Sequence, residues 1–217
     1  MPPNAFPPPR PAAVARQRPG PRRSEAMFVR PALPRHAEAI AQVYVESWRH
    51  AYRGIVPDAV LDGMCAQRES QRWRRHLGDM PPGCCAFIAG RRGEVLGFAT
   101  MGPARGRPTD AEVFTLYLLP SAQRQGVGRK LMAACAEQLL AEGFTEGQVE
   151  VLKANSRARR FYEMLGGVPV CERDVPVGKG TLPVVRYHWG DLAALEEQAA
   201  RLANLPLPDL PGPAGSP

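Results

Sequence analysis

The chain has 217 residues, 44% of them hydrophobic, which suits one substantial core with tails but hardly two domains. The formal net charge of +7 first suggests nucleic-acid binding, but residues 1–26 hold five arginines and one glutamate, so +4 lies there and only +3 on the rest. A surplus of that size is ordinary for a globular domain, and we expect no nucleic-acid partner.

Both ends of the chain are rich in proline. Eight of the 24 prolines fall in residues 1–26 and five in residues 206–217. Such segments bury little apolar surface, so we expect a disordered extension over 1–26 and a disordered tail over 205–217. Between them, the sequence predicts one folded domain over 27–190 followed by a C-terminal helix over 191–204.

Hydropathy and cysteine spacing exclude several classes of protein. No apolar run reaches the roughly 18 residues that span a bilayer, and no signal-peptide core follows the N-terminal arginines. We therefore expect a cytoplasmic protein with no membrane partner. The five cysteines form no C-x-x-C pair, which argues against a disulfide framework and a zinc site, so no metal is expected.

The first half of the folded region predicts a strand, a bent pair of helices and a hairpin. Apolar residues recur at helical spacing in two stretches that a break at Gly54–Pro57 separates. Two short apolar runs then flank the turn signature Gly90–Glu94. The predicted bounds are 28–32 for the strand, 38–53 and 57–77 for the helices, and 85–89 and 95–101 for the hairpin strands.

In the second half, a polar loop over 102–110 leads into a strand over 112–119. Both faces of that strand are apolar, so we expect it to be central and covered on both sides. The further elements are helices over 126–140, 156–165 and 192–202 and strands over 149–152, 168–171 and 184–189. The order β-α-α-β-β-β-α-β-α-β-β before the last helix predicts an α/β fold, a mixed sheet with helices on both faces.

The stretch Val113–Gly128, reading V-F-T-L-Y-L-L-P-S-A-Q-R-Q-G-V-G, joins an apolar strand to a glycine-bearing turn that opens a helix. Exposed backbone N–H groups at such a turn bind phosphate. A dinucleotide fingerprint would need a third glycine at Leu131, and a P-loop would need G-K-[ST] where Gly128-Arg129-Lys130 stands. The spacing therefore excludes both kinds of nucleotide site.

Two motifs together give the chain a family resemblance. Q-x-x-G-x-G over Gln123–Gly128 follows the strand, and N-S-R-A-R-R-F-Y-E-M-L-G runs over Asn155–Gly166. The chain resembles the GNAT superfamily of acyl-CoA-dependent N-acetyltransferases over about Phe28–Trp189, including W-R-x-x-Y-R-G-I-V-P at Trp48–Pro57 and V-R-Y-H-W at Val185–Trp189. The resemblance implies a GNAT-like fold and acetyl transfer from acetyl-CoA to a primary amine.

The resemblance also implies where acetyl-CoA binds. Pantetheine would lie between the strand that ends near Leu118 and the strand 149–152, with the pyrophosphate on the loop that follows. The residues carried over to the donor site are Tyr117, Leu118, Gln123, Arg124, Gln125, Gly126, Val127, Gly128, Arg129 and Asn155. From the residues alone, Asn155 before Ser156 also fits a helix cap. Likewise, Arg124, Arg129 and Lys130 also fit solvated surface charges.

Tyr162 matches the general acid of the family. A free thiol has a pKa of about 8.5 and a phenol one of about 10, so protonating the leaving thiolate from an unperturbed tyrosine is uphill by roughly 2 kcal/mol. Tyr162 would therefore need local tuning or a concerted step. Its alternative interpretation is a core aromatic side chain paired with Phe161.

We expect a carboxylate as general base, acting directly or through water, because an alkyl ammonium with a pKa of about 10.4 must lose a proton before it attacks. Glu112, at the start of the central strand, is favoured by the resemblance, while Glu150 and Glu46 compete with it. A surface or hydrogen-bonded carboxylate remains an open interpretation for each. Backbone N–H groups near Leu118 would stabilise the oxyanion.

Trp48, Tyr52 and Arg53 lie where the helix pair of the family walls the acceptor site, and aromatic faces suit an amine. Helix-spaced aromatic residues also fit a core. We expect a small-molecule or peptide amine as the acceptor. The alternatives are a non-catalytic acyl-CoA-binding or sensing module, and acyl transfer to a protein N-terminus or an alcohol. Edge strands at the C-terminus would suit a homodimer.

Overall fold

The computed structural model of the chain describes residues 26–105, 107–178 and 180–204. The disorder that we predicted for 1–26 and 205–217 therefore falls, apart from Ala26, outside the described residues. The described residues form a seven-stranded mixed sheet with helices packed on both faces, so the predicted α/β architecture is confirmed.

The strands lie in the order β1-β2-β3-β4-β5-β7-β6, and all neighbours are antiparallel except β4 and β5. Their bounds are β1 (Phe28–Pro31), β2 (Cys85–Arg91), β3 (Glu94–Ala104), β4 (Arg107–Leu118), β5 (Gly147–Leu152), β6 (Val168–Val177) and β7 (Gly180–Trp189). The parallel pair at the centre means that the chain crosses over between β4 and β5, through a helix, as in a βαβ unit.

Six α-helices are found in the described residues. Their bounds are α1 (Ala37–Ala51), α2 (Asp58–Asp62), α3 (Ala66–Gly78), α4 (Val127–Ala141), α5 (Ser156–Met164) and α6 (Leu192–Asn204). The predicted second helix over 57–77 is thus wrong in one respect, since it divides into α2 and α3. The division follows from Gly63, which ends α2, and from Cys65, whose extended backbone (φ −125°) starts α3.

Each face of the sheet has its own hydrophobic core. α1 and α3 cover one face through contacts with Ile88 and Phe98. α4, α5 and α6 cover the other through contacts with Ala99, Met101 and Val113. The predicted covering of the central strand on both sides is therefore confirmed, and any ligand at this strand must enter between layers of helix.

Two regions form more strand than the sequence predicted. The prediction of a polar loop over 102–110 was wrong, because residues 102–104 belong to the end of β3 and residues 107–110 to the start of β4. The hairpin thus continues beyond the apolar part of each strand. β6 and β7 extend the predicted strands 168–171 and 184–189 toward each other. β6 is an edge strand exposed along most of its length, so its sequence lacks the apolar alternation that marks a buried strand.

Candidate functional site

A gap opens in the middle of the sheet. β4 and β5 pair only between residues 111–113 and 147–149, although β4 continues to Leu118 and β5 to Leu152. β5 keeps its full pairing with β7 on its other side. The two central strands therefore diverge, as the family resemblance implies, and leave an edge of β4 without a strand partner.

Pairing with β3 determines which backbone groups of β4 face this gap. Leu119 N–H donates to Leu96 O at 2.9 Å, and the antiparallel alternation then turns the N–H and C=O groups of Leu116 and Leu118 away from β3. The hydroxyl of Ser47 on α1 donates to Leu118 O at 2.7 Å. The other groups on this edge suit an extended ligand that carries amides of its own.

The open end of the gap meets the start of α4. Arg124 and Gly126 both have left-handed backbone, with φ of 58° and 80°. Lys130 N–H donates to Gly126 O at 3.0 Å in the first helical turn. The N–H groups of the three residues between Gly126 and Lys130 have no partner within the helix and can hold an anion.

Gly128 allows α4 to approach its neighbours closely. A Cβ atom at this position would lie 3.2 Å from Leu118 Cδ1 and 3.3 Å from Phe161 Cζ. The second glycine of the motif therefore brings the start of α4 against both β4 and α5. Val127 is fully buried beside it and anchors the same turn.

The loop that joins β4 to α4 has polar side chains that bind mostly to other groups of the protein. Gln123 Oε1 accepts a hydrogen bond from Arg157 Nη1 of α5, and Gln125 Nε2 donates to Ser121 O at 2.5 Å. Arg124 is exposed. Gln123 and Gln125, which we predicted to bind the donor, thus have hydrogen-bond partners within the protein. The exposed Arg124 side chain and the backbone groups are the better candidates for contact with a ligand.

Arg129 has a structural partner at the C-terminal helix. Its Nη1 donates to Leu202 O at 2.6 Å, and its Nη2 lies 3.8 Å from Met164 Sδ. The guanidinium therefore joins α4 to α6 and α5, while the backbone N–H of Arg129 stays in the first turn of α4. Lys130 is half-buried next to it.

Asn155 lies on the other wall of the gap, at the start of α5. Its Oδ1 accepts the N–H of Ala158 at 3.1 Å and so caps α5. A cavity of about 220 Å³ lies between the end of α1, the loop and the start of α5. It is lined by His50, Ala51, Ile55, Gln123, Ala154, Asn155, Ser156 and Arg157.

Tyr162 is buried on α5, with 6% of its surface exposed. Its ring packs 6.1 Å from the ring of Tyr187 and 6.0 Å from that of Trp189, which belong to β7. Burial raises its pKa well above the ordinary tyrosine value, and charge on Tyr52 and on Cys135 would raise it further. Tyr162 therefore stays protonated, as an acid must, but is a reluctant donor.

Tyr52 reaches the gap from the opposite face of the sheet. It packs in one hydrophobic cluster with Tyr117 of β4 and Leu152 of β5, the two strands that diverge. Burial raises the pKa of Tyr52, and the polar side chains of Tyr117 and Asn155 partly offset this rise. The structure thus brings together three residues that the sequence had divided between the acceptor wall and the donor site.

Trp48 and Arg53 occupy different positions on the predicted acceptor wall. The Trp48 ring packs 4.8 Å from that of Tyr52, and its buried N–H lies near Tyr117 but forms no hydrogen bond with a described residue. Arg53 is exposed and pairs with Asp58 at 3.5 Å. Trp48 therefore lines the interior of this wall, whereas Arg53 ties α2 to the outside of it.

The three candidate carboxylates have different surroundings. Glu112 is 9% exposed, and its Oε2 accepts from Arg105 N–H at 3.3 Å and from Gln148 Nε2 at 3.4 Å, at the closed end of the gap. Glu46 is exposed. Glu150 stands just past the last β4–β5 pair and binds two guanidinium groups, those of Arg173 and Arg186. Burial works to raise its pKa, but hydrogen bonds from these arginines outweigh it and lower the pKa.

Sequence reasoning missed Ser47 and Arg157. Ser47 lies four residues after Val43 on the buried stripe of α1, and a small polar residue in such a stripe is a signal for a specific hydrogen bond. Arg157 contacts Gln123 across the cavity from the first turn of α5. Nothing in the sequence marks it among several arginines of that helix.

Among the described residues, no group of three or more His, Cys, Asp or Glu side chains is arranged to hold a metal ion. In the same part of the chain, no helix is long and apolar enough to cross a membrane.

Comparison with known sequences agrees with this geometry. The sequence profile described as the Acetyltransferase (GNAT) family matches residues 38–166. An uncharacterized N-acetyltransferase of Bacillus subtilis, YuaI, is 35% identical over 172 residues, which cover 77% of this chain and 95% of that protein. The phosphinothricin N-acetyltransferase of Streptomyces coelicolor is 32% identical over 76 residues, 34% of this chain and 44% of that protein.

Solved structures agree on the fold. The PaiA N-acetyltransferase of Thermoplasma acidophilum, in complex with coenzyme A, has a TM-score of 0.60 at 18% identity over 76% of this chain and 99% of that one. YncA of Salmonella typhimurium, a putative acetyltransferase with acetyl-CoA, has a TM-score of 0.60 at 21% identity over 77% and 94%. Together with the matching profile and the Bacillus relative, the divergent strands and the start of α4 identify this chain as an acetyltransferase of the GNAT family.

Proposed function

We propose that the protein transfers an acetyl group from acetyl-CoA to a primary amine by direct attack within a ternary complex. The observation that carries the proposal is the gap between β4 and β5, which runs from the anion-binding start of α4 to a buried tyrosine and a buried carboxylate. When bound, acetyl-CoA supplies an acetyl thioester. The residues around the gap hold it, protonate its leaving group and prepare the amine.

The donor side fits the chemistry of acetyl-CoA. Free N–H groups and left-handed backbone at the start of α4 suit a pyrophosphate. The unpaired edge at Leu116 and Leu118 suits the amides of a pantetheine arm, and an N–H on the same edge would stabilise the oxyanion. Arg124 is the exposed side chain of the loop that would add a charge-assisted contact to phosphate.

Tyr162 acts as general acid and Glu112 as general base. Tyr162 is kept protonated by its burial. Glu112 lies four residues before Leu116 along β4, roughly 13 Å at 3.3 Å per residue, so it would take the proton of the amine through water. Glu150 is the weaker candidate, because two guanidinium groups stabilise its charged form and so reduce its basicity.

The acceptor is a small-molecule or peptide amine that enters on the side of α1 and α2. Trp48 and Tyr52 give this side a buried aromatic surface, and the Trp48 N–H is available to a hydrogen-bond acceptor on the substrate. No covalent enzyme intermediate is part of the proposal.

The decisive experiment is a screen for thiol release from acetyl-CoA in the presence of candidate acceptors. The panel consists of small amines, amino acids that include phosphinothricin, peptides with free N-termini, and alcohols as controls. We expect release with at least one primary amine and an acetylated product by mass spectrometry. Binding of acetyl-CoA without release for any acceptor would favour a non-catalytic module. Release with alcohols alone, or with the N-terminus of peptides and no other amine, would narrow or change the acceptor class.

A further inference from the structure

Beside the gap, β5, β6 and β7 together carry two arginines around one carboxylate. We propose that Arg173 and Arg186, held in place by Glu150, bind a carboxylate on the acceptor, so that the acceptor is an amine that also carries a carboxylate, as an amino acid does. The inference rests on the proposed function, because it concerns the acceptor of the same transfer. It narrows the class of small-molecule or peptide amine to acids of this kind.

Glu150 fixes both guanidinium groups. Arg173 donates from Nε to Oε1 at 2.8 Å and from Nη2 to Oε2 at 2.5 Å. Arg186 donates from Nε and from Nη2 to Oε1, at 3.2 and 2.9 Å. The side chains of Glu150 and Arg186 are 16% and 26% exposed, whereas both partners of the Lys153–Glu172 pair are about half exposed. The arginine cluster is therefore more enclosed and more rigid than an ordinary surface ion pair.

The cluster retains both positive charge and N–H groups for a ligand. Two guanidinium groups (+2) and one carboxylate (−1) leave a net charge of +1. Both arginines use Nε and Nη2 for Glu150, and neither Nη1 group has a hydrogen-bond partner among the described residues. The Nη1 and Nη2 groups of a planar guanidinium can together bind the two oxygens of a second carboxylate.

Glu150 stands where the two central strands separate. The last pair between β4 and β5 joins Val113 to Val149, and Glu150 is the next residue of β5. Arg186 of β7 is its cross-strand partner on the other side. The cluster therefore lies at the inner end of the gap.

The same side chains face the predicted acceptor wall. Successive side chains of a strand alternate between faces, so Glu150 shares its face with Gln148 and Leu152. Gln148 Nε2 donates to Glu112 Oε2 at 3.4 Å, and Leu152 packs against the hydrophobic cluster that contains Tyr52. Glu150 thus lies about 7 Å along β5 from each of these two neighbours, between the proposed base and the aromatic wall.

This placement suits an acceptor with two charged ends. A carboxylate bound by Arg173 and Arg186 would neutralise the net charge of the cluster, and partial enclosure limits the screening of that attraction by salt. The amine of the same molecule would be left on the side of Glu112, the proposed base. A neutral amide in place of the carboxylate could not neutralise the cluster.

Matched pairs of acceptors test the carboxylate. Leucine with leucinamide and methionine with methioninamide differ at the carboxyl group, and comparison of the same pair between proteins removes the difference in amine basicity. We expect Arg186→Gln and Arg173→Gln to lower kcat/KM for the acids at least about tenfold, as for loss of a charge-assisted hydrogen bond, and that for the amides less than about twofold. Equal losses for acid and amide would show that the arginines only support the fold, and would overturn the proposal.

Lys153→Gln is the matched control. It removes a cation from an ion pair between the end of β5 and β6, with Nζ 2.7 Å from Glu172 Oε2, and should leave the ratio of acid to amide unchanged. A similar change of this ratio in Lys153→Gln would also contradict the inference. Thermal unfolding shows which variants keep the fold, and Arg173→Gln, at the more exposed position, is the second variant if Arg186→Gln does not.

A binding measurement needs no turnover. N-acetylated leucine, methionine, serine and glutamine, each with its carboxamide, are titrated by calorimetry into the full chain in the presence of coenzyme A. At least one acid should bind about fivefold or more tightly than its amide, and both arginine variants should lose this preference. If no acid binds more tightly than its amide, the inference fails. Absence of thiol release with every acceptor would instead refute the proposed function and leave this comparison to decide the inference.

Discussion

Tyr52 and Tyr162 approach the gap from opposite faces of the sheet, and negative charge on Tyr52 raises the pKa of Tyr162. The two hydroxyl groups are therefore coupled, although one belongs to the end of α1 and the other to α5. Loss of a proton from one makes loss from the other harder.

Tyr162→Phe should lower kcat by about 10² with little change in acetyl-CoA affinity, because only the hydroxyl is removed from a packed ring. Steady-state kinetics and calorimetric titration with acetyl-CoA measure the two quantities separately. If turnover were unchanged, Tyr162 would be a core residue alone. A matching loss in affinity would point to a binding role.

Gly126→Ala should weaken acetyl-CoA binding, because a residue with Cβ is strained at this left-handed position and the turn whose N–H groups would hold the phosphate has to shift. The added Cβ itself would lie 3.5 Å from Ala203 O. The left-handed φ of 80° also makes alanine cost about 1–2 kcal/mol of folding stability. Gly143→Ala is the control, since Gly143 has φ of 90° and nothing within 4 Å of the added atom. Thermal unfolding should show similar losses in both variants. Equal losses of acetyl-CoA affinity in the two would exclude a special role for Gly126.

Asn155→Ala and Asn155→Asp separate the two functions of this side chain. Alanine removes the cap of α5 and should cost about 1 kcal/mol of stability, whereas aspartate keeps an oxygen for the N–H of Ala158 and should unfold near the wild-type temperature. Both lose the side-chain N–H that would contact the pantetheine arm, so both should bind acetyl-CoA more weakly. Wild-type affinity in the aspartate variant would show that this donor is dispensable.

Glu112→Gln should reduce kcat/KM for an amine by about 10² near neutral pH, because the amide cannot accept the proton but can still accept the Arg105 N–H. The deficit should shrink as pH rises toward the amine pKa of about 10.4, where solvent supplies the free base. The pH–rate profiles of both proteins provide the test. A constant deficit across the profile would indicate lost structure, and no deficit would assign the base elsewhere.

Glu150→Gln should lower stability at neutral pH by about 1 kcal/mol, since Arg173 and Arg186 would then face each other without a counter-charge. The pKa of Glu150 is lowered in the folded protein, so its contribution is complete above the unfolded pKa of about 4.3 and is lost as pH falls through the folded value. Denaturant unfolding of both proteins should therefore differ at pH 7 and converge in acid. A difference independent of pH would contradict this account.

Local signals predicted the elements around the gap better than the long hairpin strands. The glycines of the α4 start and the cap before α5 carry backbone requirements that the sequence displays, and both occur as expected. The ends of β3 and β4 were missed, because their polar residues and Pro103 resemble a loop. The predicted strand 168–171 was shorter than the observed edge strand β6, because exposure of a strand on both faces removes the apolar pattern by which it is predicted.

The side-chain contacts within the site could not be predicted from the sequence, because they join residues that only the tertiary structure brings together. No sequence spacing predicts that Tyr52, at the end of α1, packs in one cluster with Leu152, at the end of β5, since about a hundred residues separate them. The partner of Arg129 was equally hidden, because its acceptor is a backbone carbonyl of α6. Motifs identified which residues matter, and packing decided which of them touch.

The unpaired edge of β4 has a consequence for measurement. Amide hydrogens in a central strand normally exchange with solvent slowly, since neighbouring strands protect them. The N–H groups of Leu116 and Leu118 face the gap instead, while that of Leu119 is bonded to β3. Deuterium uptake at these two alternate residues should be fast in the free protein and slow once acetyl-CoA is added. Donor occupancy can thus be followed at single residues without any knowledge of the acceptor.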